Sequence, residues 1–179
     1  GYVRGVCLKD EDGQYVINDD GETAGISKGA TDAALTPYHV ERSKLFVRER
    51  FADVKHIDTD LIEVLIEQTR FPSSGQVIED EDIAELAELV SSADLIGQMG
   101  DLGYLQKSAA LFNEFEEIGS NKKLGYTSPQ DLRTGYPKFF WNMVQPGVAR
   151  AIKYLNVTQA GKMWVNNLYA NVFIEEHGV

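Results

Sequence analysis

The stretch Ser-Ser-Ala-Asp-Leu-Ile-Gly-Gln (91–98) places a carboxylate inside a pattern that is typical of an amphipathic helix. Residues that alternate at intervals of four and three share one helix face, and those predicted to face the core are Ile83, Ala87, Val90, Asp94 and Gly97. The sequence therefore predicts that Asp94 is buried. A buried aspartate needs a partner, because an unpaired charge in a low-dielectric interior is too costly. The first question about function is therefore which partner Asp94 has: a backbone amide, an arginine or a metal ion.

The rest of the chain predicts an all-α fold with an irregular beginning. Residues 1–35 contain two short β-prone runs and a loop rich in Gly, Asp and Ser, which indicates a hairpin or loop arm. N-caps, prolines and glycines then delimit helices. They are predicted at about 36–51, 58–70, 79–98, 102–118, a short turn from 128, 137–155 with a kink at Pro146-Gly147, and 158–176. The last helix is apolar over most of its circumference and is predicted to be central. We expect an arm (1–35) and a helical domain (36–179), forming one domain overall.

Length, charge and cysteine content restrict the classes of function. A chain of 179 residues can bury one substantial core, and no apolar run approaches the roughly 20 residues that cross a bilayer. The net charge of −11 argues against a nucleic-acid partner, which requires a basic surface. Cys7, the only cysteine, cannot form an internal disulfide and is predicted to be a small buried hydrophobe rather than a nucleophile. A cytoplasmic protein without a membrane partner is expected.

Four runs resemble a known family. They are Ser-Ala-Asp-Leu-Ile-Gly-Gln-Met-Gly-Asp-Leu-Gly-Tyr-Leu (92–105), Phe-Asn-Glu-Phe-Glu-Glu (112–117), Tyr-Pro-Lys-Phe-Phe-Trp (136–141) and Asn-Leu-Tyr-Ala-Asn-Val-Phe (167–173). Together they resemble HD-domain metal-dependent phosphohydrolases, in particular bacterial members that look like cyclic-nucleotide phosphodiesterases. The resemblance implies an HD-like helical bundle and a divalent metal ion, with Mg, Mn, Fe, Zn and Ni not distinguished. It also implies hydrolysis of a small phosphorylated substrate, plausibly a nucleotide or cyclic nucleotide. Asp94 matches the later metal-binding, catalytic aspartate of that family.

The His-Asp dyad that names the family is missing. The histidines are His39, His56 and His177, and none is followed by Asp. Because the dyad is commonly followed closely by Gly-Tyr, and this chain opens with Gly1-Tyr2, we expect the chain to begin just after its own His-Asp pair. A truncated clone or a proteolytic product is the alternative. His39 is a candidate second metal or phosphate contact, since some members place a further histidine after the dyad. The chain as given is expected to hold an incomplete, inactive centre.

Several other side chains are candidates for substrate contacts, each with a plainer alternative. Arg42 and Arg70 could bind a phosphate through two oxygens, or form ion pairs with the many carboxylates. Gln98 could hydrogen-bond a base or ribose, or cap its helix. Aromatic residues such as Trp141 and Phe173 could stack on a base, but aromatic residues at helical spacing are predicted to be mostly core.

Two hypotheses of function follow. The first is a phosphohydrolase whose site is completed by groups before Gly1. The second is a non-catalytic helical module that retained the scaffold and serves in binding or regulation. If N-terminal helices are missing, the apolar surface they covered should favour a homo-oligomer.

Overall fold

A computed structural model describes residues 2–72 and 75–178 and confirms the all-α fold. The chain forms two compact units, an N-terminal unit (1–77) and a C-terminal unit (78–179). The N-terminal unit contains the strands β1 (Gln14–Val16) and β2 (Thr23–Gly25), a 3-10 helix (Asp32–Tyr38), α1 (His39–Phe51) and α2 (Thr59–Glu67). The C-terminal unit contains α3 (Glu81–Met99), a 3-10 turn (Leu105–Lys107), α4 (Ser108–Glu117), α5 (Ser120–Leu124), α6 (Pro129–Phe139), a π-helical segment (Phe140–Val144), α7 (Gln145–Leu155) and α8 (Gln159–His177).

The N-terminal unit combines the predicted arm with the first two helices. β1 and β2 form an antiparallel pair in which Tyr15 lies opposite Ala24. Cys7 is buried as predicted, its Sγ lies 3.8 Å from the carbonyl oxygen of Arg42, and burial raises the pKa of its thiol. The arm therefore packs on α1, and the predicted boundary between residues 35 and 36 falls inside this unit. The two compact units meet in the sequence after Val77.

Local capping signals fix where the helices begin. The Asp58 side chain accepts a hydrogen bond from the amide of Leu61 at the start of α2, and Thr158 accepts one from Gly161 at the start of α8. Ser128 and Asp131 form a reciprocal capping box at α6. These predicted starts are confirmed, since a side-chain oxygen there satisfies an amide that has no partner within the helix.

The expected kink at Pro146-Gly147 takes the form of a π-helical segment just before it. Pro146 has no amide hydrogen and its ring crowds the carbonyl four residues earlier, so an α-helical path cannot continue undisturbed. The wider turn at Phe140–Val144 accommodates this and leads directly into α7. The chain thereby carries Phe140, Val144 and Val148 into the interior, where all three are fully buried.

The core of the C-terminal unit lies between α3, α6, α7 and α8. The predicted apolar stripe of α7 is confirmed, since Phe140, Val144 and Val148 are buried and Ile152 and Leu155 are partly buried against them. The prediction for α8 is wrong in one respect. Only one face of α8 is buried, whereas three of its large apolar side chains are exposed: Met163, Trp164 and Phe173.

One glycine is required by the packing of α8 on α7. A Cβ atom at Gly161 would lie 2.0 Å from the carbonyl oxygen of Leu155, far inside van der Waals contact. Gly161 therefore allows the first turn of α8 to approach the end of α7. None of the helices in the described residues is both long and apolar enough to cross a membrane.

Candidate functional site

Asp94 lies on the exposed side of α3, not in the core. The residues that share this side are Leu86, Val90, Ala93, Asp94 and Gly97, here called the α3 exposed stripe. Leu86 is 46% exposed and Val90 36% exposed. The stripe thus places one carboxylate among small and aliphatic side chains. The prediction that Asp94 is buried is wrong.

The reason for this error is that α3 is apolar on more than one face. Its buried residues are Ala87, Ser92, Ile96 and Met99. Ser92 is the polar residue that enters the core, and its Oγ lies 2.7 Å from the Glu88 carbonyl oxygen and 2.8 Å from the Gly147 carbonyl oxygen. A hydroxyl can donate a hydrogen bond to a carbonyl oxygen of its own helix, so its burial costs far less free energy than the burial of a carboxylate.

Gln98 lies one turn beyond Asp94 and contacts it directly. Its Nε2 donates a hydrogen bond of 3.1 Å to Asp94 Oδ1. Within residues 2–72 and 75–178, the carboxylate of Asp94 forms no ion pair with a lysine, arginine or histidine. Gln98 therefore orients one carboxylate oxygen and leaves the lone pairs of the other available. Asp94 and Gln98 are the two predicted site residues that the structure brings together.

The end of α3 beyond this pair is held by a residue that the sequence interpretation missed. Asn171 on α8 is buried, and its Nδ2 donates to the carbonyl oxygens of Met99 at 2.8 Å and Asp101 at 3.1 Å. Asp101 in turn accepts hydrogen bonds from the Gly103 amide at 2.6 Å and from Lys107 Nζ at 2.9 Å. An amide side chain in the apolar run Tyr169–Phe173 was the available signal for this role.

His39 belongs to the N-terminal unit. Its Nδ1 lies 2.6 Å from the carbonyl oxygen of Thr36, and its ring stacks on Tyr2 with centroids 4.6 Å apart. A histidine whose Nδ1 donates to a carbonyl presents Nε2 as its remaining acceptor. The role of His39 as a metal or phosphate contact stays a prediction.

Arg42 is a structural residue. Its side chain is fully buried, and its two terminal nitrogens donate to both oxygens of Asp10, each at 2.9 Å. They also donate to the carbonyl oxygens of Val16 at 2.5 Å and Val3 at 3.0 Å. Burial alone would raise the pKa of Asp10. The hydrogen bonds that Asp10 accepts from Arg42 and from the amides of Val16 and Cys7 outweigh burial, so its pKa is lowered. The guanidinium is enclosed, so of the two alternatives for Arg42 the structure shows the ion pair and not the phosphate contact.

Arg70 takes part in a network of ion pairs that joins α1 to the end of α2. It contacts Glu67 at 2.7 Å and Glu41 at 2.5 Å, and Lys44 also contacts Glu67 at 2.5 Å. Hydrogen bonds from Arg70 are the main reason that the pKa of Glu67 falls to about 2. This is the ion-pair alternative for Arg70, and the guanidinium has its charge neutralised by two carboxylates. Its contact with a substrate phosphate stays a prediction.

A divalent metal needs several protein ligands together with open positions for water and substrate. Among the residues that the structure describes, no group of three or more His, Cys, Asp or Glu side chains could hold a metal ion. Asp94 is a suitable oxygen ligand, but these residues alone do not fit a complete metal site.

The chain belongs to the Npun_R2479-like family, whose model matches residues 1–178. Neither the comparison with curated proteins nor the comparison with solved structures found a match.

Proposed function

We propose that this member of the Npun_R2479-like family acts in metal-dependent hydrolysis of a phosphate ester, to which it contributes Asp94 as a metal ligand. The observation that carries the proposal is the position of Asp94 in the α3 exposed stripe. Its carboxylate lies among aliphatic side chains, is oriented by Gln98 at 3.1 Å, and forms no ion pair within the described residues. The resemblance of residues 92–105 to the metal-binding helix of HD-domain phosphohydrolases supports the same role.

The surroundings of Asp94 suit a cation ligand. Apolar neighbours lower the local dielectric when another element covers them, which strengthens the attraction between a carboxylate and a metal ion. Carboxylate oxygens are the ligands that Mg²⁺ and Mn²⁺ prefer. The hydrogen bond from Gln98 is an outer-shell contact of the kind that holds a ligating carboxylate in one orientation.

The charge of the chain is consistent with a metal requirement for such a substrate. A net charge of −11 repels a phosphate ester, and the two arginines considered as phosphate contacts are already paired, Arg42 with Asp10 and Arg70 with Glu41 and Glu67. A divalent cation at Asp94 would reverse the local sign. Under this proposal Asp94 is one ligand of the metal ion, and the family resemblance implies that a His-Asp pair completes the set.

The test uses the product of the complete reading frame that contains this chain. Hydrolysis of bis(p-nitrophenyl) phosphate with Mn²⁺ is compared between the wild type, Asp94→Asn and Asp82→Asn. Asp82 is an exposed carboxylate in the first turn of the same helix, so its variant controls for loss of charge. Loss of a metal ligand removes several kcal/mol of transition-state stabilisation, so Asp94→Asn should lower turnover about 100-fold or more while Asp82→Asn stays near wild type. Equal turnover of Asp94→Asn and wild type would refute the assignment.

The alternative is a non-catalytic helical module that retained the scaffold and serves in binding or regulation. It predicts that the melting temperature does not depend on added Mn²⁺, because a ligand stabilises a protein only through binding to the folded state. A rise in melting temperature with Mn²⁺ that disappears in Asp94→Asn would exclude this alternative.

A further inference from the structure

An aromatic groove lies on the C-terminal unit, where the π-helical segment passes the second half of α8. Trp141, Tyr169, Phe173, Asn166 and Glu176 contribute to its walls, and its volume is about 480 Å³. That volume lies within the roughly 300–1,000 Å³ of small-molecule sites. Trp141 is 44% exposed and Phe173 54% exposed, although aromatic residues at this spacing were predicted to be mostly core. Exposed aromatic rings that line a concave surface are the feature that needs an explanation.

The rings of this aromatic groove are fixed in place. The Trp141 Nε1–H donates a hydrogen bond of 2.6 Å to Glu176 Oε1, and the Trp141 and Tyr169 rings lie 6.1 Å apart at 33°. The fully buried Phe140 packs edge-on against both, with centroids 5.1 Å from Trp141 and 5.8 Å from Tyr169. A ligand would therefore meet preformed ring faces at little cost in side-chain entropy.

The electrostatics of the groove favour a cation. Ring faces are the negative side of the aromatic quadrupole, Glu176 adds a carboxylate, and the last turn of α8 adds the negative end of a helix dipole. The residues that line the groove include no lysine or arginine. His177 stacks on Phe173 with centroids 4.1 Å apart, so one face of that ring is already covered. The carboxylate and the ring faces disfavour an anionic ligand here.

We infer that the aromatic groove binds an organic ammonium ion, such as a quaternary or alkylated amine head group. The cation lies over the Trp141 and Tyr169 rings, and Glu176 supplies the opposite charge. The alkyl groups of the ammonium contact the ring faces, and no covalent step is involved. This site is separate from the α3 exposed stripe, and its test does not depend on the function proposed for Asp94.

The test follows the tryptophan indole N–H signals by nuclear magnetic resonance. The chain has two tryptophans, and Trp164→Phe assigns the two signals. Choline chloride is added at constant ionic strength, alongside its neutral isostere 3,3-dimethylbutan-1-ol. A few cation–ring contacts give dissociation constants of about 0.1–10 mM, so the Trp141 signal should shift saturably in that range with choline and not with the alcohol. The Trp164 signal should not move.

Two variants separate charge from shape. Glu176→Gln keeps a carbonyl oxygen as acceptor for the Trp141 indole but removes the charge, and should weaken choline binding about fivefold or more. Glu114→Gln removes an exposed carboxylate from α4 and serves as the matched control, with affinity within about twofold of wild type.

Four results would overturn the inference. The first is no Trp141 shift at 50 mM choline, which is about five times the weakest expected dissociation constant. The second is an equal shift with the neutral alcohol, and the third is unchanged choline affinity in Glu176→Gln. The fourth is a Trp141 signal that moves with protein concentration but not with choline. The last result would mean that a second copy of the chain occupies the groove.

Discussion

At the scale of single residues, the buried pair of Arg42 and Asp10 dominates the N-terminal unit. The pair ties the arm to α1, and its side chains are 0% and 1% exposed. Removing one partner of a buried ion pair leaves an uncompensated charge in the interior. Asp10→Asn should therefore lower the free energy of unfolding by about 3–5 kcal/mol. Urea denaturation followed by circular dichroism measures this loss.

The control for this prediction is Asp12→Asn, because Asp12 is exposed two residues away. Its free energy of unfolding should stay within about 0.5 kcal/mol of wild type. If Asp10→Asn proved as mild as Asp12→Asn, the arm would not be anchored through this pair.

Glu67 gives the N-terminal unit a defined dependence on pH. Hydrogen bonds from Arg70 and Lys44 lower the pKa of Glu67 to about 2 in the folded state. Burial acts in the opposite direction but is outweighed. An unfolded glutamate has a pKa of about 4.3. As the pH falls, Glu67 is therefore protonated in the unfolded chain at a higher pH than in the folded chain. The stabilisation is complete above about pH 4.3 and is lost as the pH falls towards 2.

We predict that Glu67→Gln lowers stability at pH 7 and flattens the loss of stability between pH 4.5 and 2 (about the interval between the two pKa values). Melting temperatures at a series of pH values measure both effects. Asp53→Asn, which removes an exposed carboxylate from the loop after α1, should leave the slope unchanged. If the melting temperature of Glu67→Gln fell with pH as steeply as that of the wild type, Glu67 would not be stabilised by this ion-pair network.

At the scale of helices, the packing of α3 shows what sequence periodicity can and cannot predict. The helix predicted at about 79–98 is present as α3, and its start is fixed locally by the Asp80 side chain, which accepts hydrogen bonds from the amides of Asp82 and Ile83. The buried face does not follow, because two stripes of α3 carry enough apolar residues to be buried. Tertiary packing against α7 selected the stripe with Ser92 and left Asp94 outside.

Ser92 provides a test of this packing. Ser92→Ala leaves the Gly147 carbonyl oxygen without the Ser92 hydroxyl and should lower the free energy of unfolding by about 1–2 kcal/mol. The neighbouring Ser91→Ala lies on a partly exposed position of the same helix and should change it by less than about 0.5 kcal/mol. Equal effects of the two substitutions in chemical denaturation would mean that α3 buries a different face.

Two glycines within helices should respond in opposite ways to alanine. Gly161→Ala forces a Cβ to within 2.0 Å of the Leu155 backbone, so α8 must shift, at a cost of about 1–3 kcal/mol or more. At Gly147 an added Cβ would meet no atom within 4 Å apart from the adjoining residues and the backbone of its own helix, so Gly147→Ala should stabilise α7 by about 0.5–1 kcal/mol. Melting temperatures of the two variants should lie on opposite sides of the wild-type value. A neutral Gly161→Ala would rule out the close approach of α8 and α7.

At the scale of the whole molecule, the all-α class and the starts of α2, α6 and α8 could be predicted, because caps act through nearby backbone atoms. Pro137, which was predicted to open a helix, lies inside α6 instead. The division after Val77 was not predicted. Within the first unit, the arm is joined to α1 by contacts such as that between Asp10 and Arg42, which are 32 residues apart and leave no local signal in the sequence. The exposure of Asp94, Trp141 and Phe173 was missed for a related reason. The spacing of apolar residues indicates which side chains can be buried. Which of these side chains are buried depends on how many neighbouring helices pack against their helix. Homo-oligomer formation through such surfaces stays a prediction.

The central claim concerns the carboxylate that the α3 exposed stripe presents. Mn²⁺ binding by the product of the complete reading frame, measured as free Mn²⁺ by electron paramagnetic resonance, tests it most directly. We predict about one Mn²⁺ bound per chain in the wild type and in Asp82→Asn, and at least tenfold weaker binding in Asp94→Asn, a loss typical of an altered metal ligand environment. Identical Mn²⁺ binding curves for Asp94→Asn and the wild type would contradict the claim that Asp94 binds a metal.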